Sequence, residues 1–322
     1  ALKYPDAGEL ALKASVDTKK GMTAKGEKLF VTVPASFKLA PAAGPLRAGA
    51  DFAVDITALN ADGATTPNFD TKDLNDAGAT GHDVALDVAC RAQDGAPGSF
   101  ASSLCFTDGV AKAAARWSEV GRIDLKASVT SFLGIKTLNA EGRTDDPLKN
   151  CPGKVGPFLP QYFKLVIERP IPEKDRTFHY AQEPFVLRAI AMSKAGTVTE
   201  NYDAKIVDAV TKAAYGEKLT LSALGPTGIA PDPAPGVLNV VPKPDPPAVE
   251  IPASAFSKGS AAVTLNYTFA AVRTAPQAIR LRATNGKAAP ADVSSAYAAA
   301  PDPDPAKEAQ TTLRGGRLRI GN

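Results

Sequence analysis

The stretch that decides the fold is LRAGADFAVDITALNADGATTPNFDT, residues 46–71. Apolar side chains alternate from Phe52 onward, and a polar turn follows before Phe69. The same order returns in YAQEPFVLRAIAMSKAGTVTENYDA, residues 180–204, and from Phe52 onward the two copies keep a constant offset of 133 residues. A constant offset indicates duplication of a structural unit rather than shared composition.

Short alternating strands between turns predict an all-β chain. The 27 prolines and 26 glycines among 322 residues favour many turns, and this length exceeds one ordinary core. A duplicated unit of this kind is typical of tandem immunoglobulin-like β-sandwich domains, here joined by Pro-rich linkers. Trp117 and Tyr267 hold equivalent places, so core packing is favoured for Trp117 over carbohydrate stacking. The predicted core aromatics are Phe52, Phe69, Trp117, Phe185, Tyr202 and Tyr267.

A second repeat links the beginning of the chain with its middle. SEVGRIDLKASV at 118–129 matches YPDAGELALKASV at 4–16 with an offset of 113, and QAIRLRAT at 277–284 is a weaker third copy. These strands are predicted to close their modules. The chain is therefore expected to open with the closing strand of a truncated module, and the final GGRLRIGN is expected to start a further strand.

These patterns predict five segments. Residues 1–27 are the closing strand of a preceding module with its linker, and residues 28–134 are module one. Residues 135–154 are a linker, residues 155–298 are module two, and residues 299–322 are a linker with the start of a further module. Within module two, a short helix is plausible at 202–216. The Pro-rich insertion at 226–252 is expected to be extended surface chain outside the core.

Charge and hydropathy exclude two partner classes. The net charge of +3 is spread along the chain without a basic block, so nucleic acid is not an expected partner. No apolar run approaches the roughly 18 residues that span a bilayer, so no membrane span is expected in this segment.

The three cysteines are Cys90, Cys105 and Cys151. No Cys/His spacing suggests zinc. Cys90 ends one strand pattern and Cys105 begins the next, which favours a disulfide between them over two buried thiols and implies an oxidising compartment. Cys151 then lacks an assigned partner.

No pattern predicts an enzyme. His82 and His179 are expected at a surface or strand edge, and neither belongs to a catalytic motif. The acidic clusters at 60–62, 70–76 and 302–304 lack calcium-loop spacing, and turns use Asp and Asn for backbone reasons. We therefore predict no catalytic residue, cofactor or metal ligand, while a structural calcium stays open.

Two Thr/Asn pairs occupy the same place in both copies of the first repeat. The pairs are Thr66 with Asn68 and Thr199 with Asn201. In one interpretation these side chains contact a glycan, and in the other they close a turn by hydrogen bonding to nearby backbone. Repetition in different surroundings favours the turn.

Several segments resemble the C-terminal region of MshQ-like proteins, which are associated with the mannose-sensitive haemagglutinin type IV pilus. The matching segments are 118–134, 155–165, 178–187, 199–202 and 315–322. Pro157, Gln161 and Tyr162 depart from the family pattern in the second segment. The resemblance implies an exported bacterial surface protein linked to pili or adhesion, without an active site.

The leading hypothesis is a non-catalytic stalk segment of an exported, pilus-associated surface protein. Its expected partners are other domains of the same polypeptide and pilus or cell-surface components. One alternative is an adhesin module that binds host or environmental glycans through loops at 91–104 or 226–252. Another is a self-assembling fibre or sheath subunit built by pairing of edge strands.

Overall fold

The computed structural model shows a β-hairpin followed by two β-sandwich modules. It describes residues 3–17, 21, 23–70, 83–133, 135, 139–147, 150–168, 178–226, 235–244, 248–296 and 307–315.

The described strands divide along the chain into the hairpin and the two modules. The hairpin consists of β1 (Gly8–Asp17) and β2 (Thr23–Thr32). Module one contains β3 (Ser36–Pro41), β4 (Leu46–Arg47), β5 (Asp51–Leu59), β6 (Asp83–Arg91), β7 (Phe100–Ser103), β8 (Phe106–Thr107), β9 (Val110–Trp117), β10 (Gly121–Ser131), β11 (Glu141–Arg143) and β12 (Val155–Leu159). Module two contains β13 (Tyr162–Glu168), β14 (Phe178–Tyr180), β15 (Phe185–Met192), β16 (Leu219–Leu224), β17 (Gly236–Val240), β18 (Glu250–Ile251), a 3-10 helix (Ala253–Ala255), β19 (Ser260–Phe269), β20 (Gln277–Thr284) and β21 (Ala309–Arg314).

Module one is a single sheet folded over its own core. Its strand order is β4-β12-β10-β11-β3-β5-β9-β7, with β6 added beside β10 and β8 beside β9. A parallel bridge between Glu141 and Ser36 joins the β10 half to the β5 half. Along β5 the side chains alternate between exposed and buried, which places Phe52, Val54 and Ile56 in the core.

Module two separates the same plan into two sheets. The order β13-β15-β19-β17 repeats β3-β5-β9-β7, and the second sheet has the order β14-β21-β20-β16-β18. The predicted all-β class of tandem immunoglobulin-like sandwiches is therefore confirmed. Within the described residues, no helix has the length and apolar character required to cross a lipid bilayer.

Each core is built around three aromatic rings in equivalent positions. In module one, the Phe69 ring lies 4.9 Å from Phe106 and 5.7 Å from Phe37 between centroids. In module two, the Tyr202 ring lies 4.9 Å from Phe256 and 5.5 Å from Phe163. The structure buries all six aromatics expected in the cores: Phe52, Phe69, Trp117, Phe185, Tyr202 and Tyr267.

The repeated Thr and aromatic positions close the same turn in both modules. The Thr66 hydroxyl donates to the Ala58 carbonyl oxygen (3.2 Å), and the Thr199 hydroxyl donates to that of Ala191 (3.1 Å). Gly109 packs against the first turn so closely that an added Cβ would lie 2.4 Å from the Thr66 carbonyl oxygen. Each turn is therefore part of its module's own fold.

Three predicted segment boundaries differ from the structure. The predicted linker at 135–154 contains β11, which pairs with β10 and β3. β12, assigned to module two by its sequence, pairs with β10 and β4 in module one. β21 lies in the predicted terminal linker at 299–322, yet it pairs with β20 and buries Leu313 in the core of module two. For β11 and β21, pairing with β10 or its counterpart β20 outweighs the polar, Pro-rich composition, and for β12 pairing with β10 outweighs its closeness in sequence to β13.

Two further expectations about module two are corrected. Residues 202–216 form turns with an isolated bridge between Val207 and Ala214, because Asp208 caps the turn instead of a helix. The insertion at 226–252 contributes to the core, because Leu238 of β17 and Ile251 of β18 are buried in it.

We predict that Gly109→Ala lowers the free energy of unfolding of module one more than Gly63→Ala does. Both glycines have positive φ (76° and 80°), so the two alanine variants share a backbone penalty of about 1 kcal/mol for placing a Cβ in the left-handed region. A Cβ at position 63 would meet no atom within 4 Å, whereas one at position 109 would strike the Thr66 carbonyl oxygen. The additional loss should be at least about 1 kcal/mol.

Urea unfolding followed by fluorescence of the single tryptophan, Trp117, reports on module one. Equal losses in the two variants would contradict the proposed tight packing. Gly259→Ala and Gly196→Ala form the matched pair in module two. An added Cβ at position 259 would lie 2.4 Å from the Thr199 carbonyl oxygen, whereas one at position 196 would meet no atom within 4 Å.

Candidate functional site: the junction between the modules

The two modules share buried apolar residues at their junction. Val120 lies between β9 and β10 of module one, yet it is fully buried in the same cluster as Phe163 and Tyr202 of module two. Leu159, at the end of β12, also packs against that cluster. Separating the modules would expose these side chains to water, so their burial opposes bending at the junction.

Glu119 caps the backbone of module two from module one. Its carboxylate accepts hydrogen bonds from the backbone N–H groups of Glu200 (3.0 Å) and Asn201 (3.1 Å), as well as from that of Val120 (3.2 Å). Burial raises the pKa of Glu119 above its ordinary value, and the three N–H donors offset part of that rise. We name residues 119–121 the docking corner and residues 199–203 the acceptor turn.

The Asn201 side chain completes the contact from the other side. It is fully buried, its Oδ1 accepts from the backbone N–H of Ala96 (2.7 Å), and its Nδ2 donates to the carbonyl oxygens of Ala96 (3.1 Å) and Val120 (3.3 Å). A Cβ at Gly95 would lie 2.3 Å from Oδ1, so this approach requires glycine. In module two, the repeated asparagine is therefore an inter-module contact rather than an exposed glycan contact.

A buried ion pair joins β10 to the loop that follows the acceptor turn. Arg122 Nε lies 2.7 Å from Asp208 Oδ2, and both side chains are largely buried. Burial alone would raise the pKa of Asp208, but N–H donors from Thr211 and Val210 together with the Arg122 guanidinium lower it to about 2. The Tyr215 hydroxyl also donates to Asp208 (3.1 Å). Asp208 is therefore fully engaged in the junction.

A third contact brings the end of β4 and the turn after it against module two. Arg47 donates to the Pro290 carbonyl oxygen (2.9 Å) and pairs with Asp292 (3.3 Å). Burial lowers the pKa of Arg47, and Asp292 partly offsets this effect. The backbone N–H of Lys194 donates to the Ala48 carbonyl oxygen (2.8 Å). The modules therefore touch at several separate places, which restricts rotation as well as bending.

The hairpin meets module one through the same arrangement. Asp6, 113 residues before Glu119, accepts from the backbone N–H of Ala7 (2.8 Å) and of Asn68 (3.1 Å), the counterpart of Asn201. Ala7 is fully buried in the core cluster of module one, as Val120 is in that of module two. Residues 6–8 are thus a second docking corner, and residues 66–70 are its acceptor turn.

A cleft of about 330 Å³ lies at the main junction. Its polar groups bind one another: Tyr215 bonds to Asp208, and Lys287 pairs with Glu217. Its lining includes Pro45, Pro157, Leu159, Asp208, Tyr215, Glu217 and Lys287. This arrangement supports packing rather than acid–base chemistry.

The disulfide joins Cys90 to Cys151, so the predicted Cys90–Cys105 pairing is wrong. Cys90 lies at the end of β6 beside β10, whereas β7 and β8, which flank Cys105, pair with β9. Cys105 is exposed and belongs to no disulfide. The bond instead holds the segment before β12 against β10, where sequence composition had indicated a linker.

Two carboxylates flank this disulfide. Asp124 is fully buried, accepts from the backbone N–H of Gly153 (2.6 Å) and lies 3.3 Å from Cys151 Sγ. Asp145 lies 3.7 Å from Cys90 Sγ, and its hydrogen bonds with Arg143 lower its pKa. Although Cys90, Asp124 and Cys151 cluster as metal ligands would, the two sulfurs are bonded to each other.

The remaining sequence candidates have structural places. His179, expected at a surface or strand edge, is buried on β14, where its Nδ1 lies 2.8 Å from the Thr311 hydroxyl. Asn60 accepts from the N–H groups of Asp62 and Ala64, which is turn chemistry. His82 and the acidic residues at 73, 76, 302 and 304 lie outside the described residues.

Comparison with known proteins gives one family match. A protein-family model described as "DUF6701, third domain" matches residues 119–232. This matched segment is less than half of the chain, and it begins at the docking corner. No curated protein matches the sequence.

Three solved structures show limited similarity. The adhesin FdeC of Escherichia coli has 14% identity and a TM-score of 0.37, with 97% of this chain and 74% of that chain covered. The adhesin InvE of Yersinia pseudotuberculosis has 14% identity and a TM-score of 0.29, with coverage of 86% and 58%. Invasin, described as a bacterial integrin-binding protein, has 10% identity and a TM-score of 0.32, with coverage of 96% and 46%. These values are too low to indicate function.

We predict that Asn201→Ala destabilises the chain by about 2 kcal/mol, because buried groups of Ala96 and Val120 would lose their partner. The matched control is Asn68→Ala, whose exposed side chain should contribute less than about 0.5 kcal/mol. Urea unfolding followed by far-ultraviolet circular dichroism measures both. Equal effects would show that Asn201 serves its own turn rather than the junction.

The low pKa of Asp208 predicts a loss of stability in acid. Because the folded-state pKa is about 2 and the ordinary value is 3.8, the carboxylate stabilises the folded chain above pH 4 and loses this effect as the pH falls towards 2. The contribution is about 2 kcal/mol. Unfolding measured between pH 7 and pH 2.5 should show a steeper acid loss for the wild type than for Asp208→Asn. Parallel curves would refute this assignment.

Proposed function

We propose that the chain is a non-catalytic stalk segment of an exported, pilus-associated surface protein that supports adhesion. The observation that carries this proposal is the junction, where Glu119, Asn201 and Arg122 of adjoining modules form buried hydrogen bonds and an ion pair. A spacer must hold successive domains at a fixed distance and angle, and several buried contacts at separate places favour one orientation.

The disulfide supports export. Cys90–Cys151 suits an oxidising compartment. The link to pili comes from the resemblance to MshQ-like proteins, and it is compatible with the DUF6701 match.

The junction also bears on the glycan-binding alternative. The loop at 91–104 was one of its two candidate sites, but Gly95 and Ala96 from this loop pack against Asn201. Phe100 is half-buried and packs on the core of module one. The packing of this loop at the junction therefore favours the stalk proposal over glycan binding at 91–104.

Inter-module distance measurement tests the stalk proposal. Spin labels at Val110→Cys on β9 and Val237→Cys on β17, in a Cys105→Ser background, sit at exposed positions of the two modules. Double electron–electron resonance should give one narrow distance distribution. Asn201→Ala combined with Arg122→Ala should broaden it, while Asn68→Ala should not.

A broad distribution in the otherwise unchanged chain would contradict the stalk role. A glycan array at micromolar protein gives the second readout. Saturable binding to a defined sugar would favour the adhesin alternative, and its absence with the modules shown to be folded is the expected result.

A further inference from the structure

The β1–β2 hairpin has the sequence of a core strand but lies in an exposed position. By the 113-residue offset, Leu12 and Val16 of β1 correspond to Leu125 and Val129 of β10. The two β10 side chains are 0% and 2% exposed, whereas Leu12 is 45% and Val16 is 62% exposed. The third copy in β20 buries Leu281 completely at the position of Leu12.

The register of the hairpin collects these side chains on one face. Leu10 lies opposite Phe30, and Val16 lies opposite Ala24, so these side chains point to the same side as Leu12. Tyr4, 113 residues before the buried Trp117, adjoins Leu10, Leu12 and Phe30 in a groove of about 320 Å³. Within the described residues, β1 pairs only with β2, so this two-stranded sheet lacks an opposing layer.

The position of the hairpin shows what type of layer is missing. Asp6 and Ala7 join the hairpin to module one as Glu119 and Val120 join module one to module two. In module one, the strand that carries this docking corner, β10, is covered by a layer containing β3, β5 and β9. The same junction and the same apolar face imply the same covering element.

We infer that the apolar face of the hairpin is a docking surface for the remainder of a third sandwich of this repeat. Its occupant is a β-sheet unit with the β3–β9 pattern, which would cover Tyr4, Leu10, Leu12, Val16 and Phe30. Covering these residues would turn the hairpin into a complete module already seated on module one. This inference concerns the partner of the hairpin, and it does not depend on the proposed stalk role.

A repeat-extended chain tests the inference directly. A copy of residues 28–116 is placed immediately before Tyr4 of the full chain, because Tyr4 holds the position of Trp117 in the repeat. Cys90→Ser and Cys105→Ser in the copy prevent mispairing. The β1 amides should exchange their hydrogens at least about tenfold more slowly in the extended chain than in the unextended chain. Calorimetry should show an additional unfolding transition in the extended chain.

Two variants control for non-specific effects. Leu12→Lys with Val16→Lys should abolish both the slower exchange and the additional transition, because it places charge on the docking face. In the unextended chain it should leave both modules folded, because the two side chains are exposed there. Val237→Lys, at an exposed valine on β17, should change neither readout.

Unchanged exchange of β1 in the extended chain would overturn the inference. It would also be overturned if light scattering showed that the unextended chain dimerises and that Leu12→Lys with Val16→Lys abolishes dimerisation. In that case the occupant of the face would be a second copy of the chain.

Discussion

A buried carboxylate that binds the backbone of the neighbouring module is the constraint on which the architecture depends. Glu119 does not need a matching side chain on module two, because it binds N–H groups of the acceptor turn. That turn is held by Thr199 and by the packing of Tyr202, both of which belong to the module's own fold. Val120 follows directly and enters the neighbouring core, so polar and apolar contacts fix the junction together. The ion pair of Arg122 and Asp208 then limits rotation around this point.

The sequence predicted the strands and the cores well because both depend on local periodicity. Alternation along β5 and β15 identifies their buried faces, and the 133-residue offset identifies the aromatic residues at equivalent places. The boundaries were predicted less well, since β11 and β21 are short strands within polar, Pro-rich sequence, and β12 is a short strand that closely precedes β13 of module two. The module to which each of these strands belongs is determined by pairing with strands that are distant in sequence, and local composition does not indicate that pairing.

The junction had a sequence signal that was not recognised. An acidic residue, a small apolar residue and glycine occur as Asp6–Ala7–Gly8 and as Glu119–Val120–Gly121 at the 113-residue offset. Both glycines adopt positive φ (139° and 130°), so the motif reflects a shared backbone path. Asn201 was harder to recognise, because its counterpart Asn68 is exposed and only the structure separates their roles. The disulfide was mispaired for a related reason: closeness in sequence favoured Cys105, whereas β10 brings Cys151 to Cys90.

The use of backbone N–H groups in the acceptor turn has a consequence for how such a protein changes in length. A module that folds must form this turn, so it presents a receptor for the docking corner whatever side chains cover its surface. The docking corner in turn leads directly into β10, a strand that its own module requires. Internal duplication of one repeat unit would therefore supply both halves of a new junction in a single event. Arrays of different length could arise without a separate round of mutation to fit each added interface.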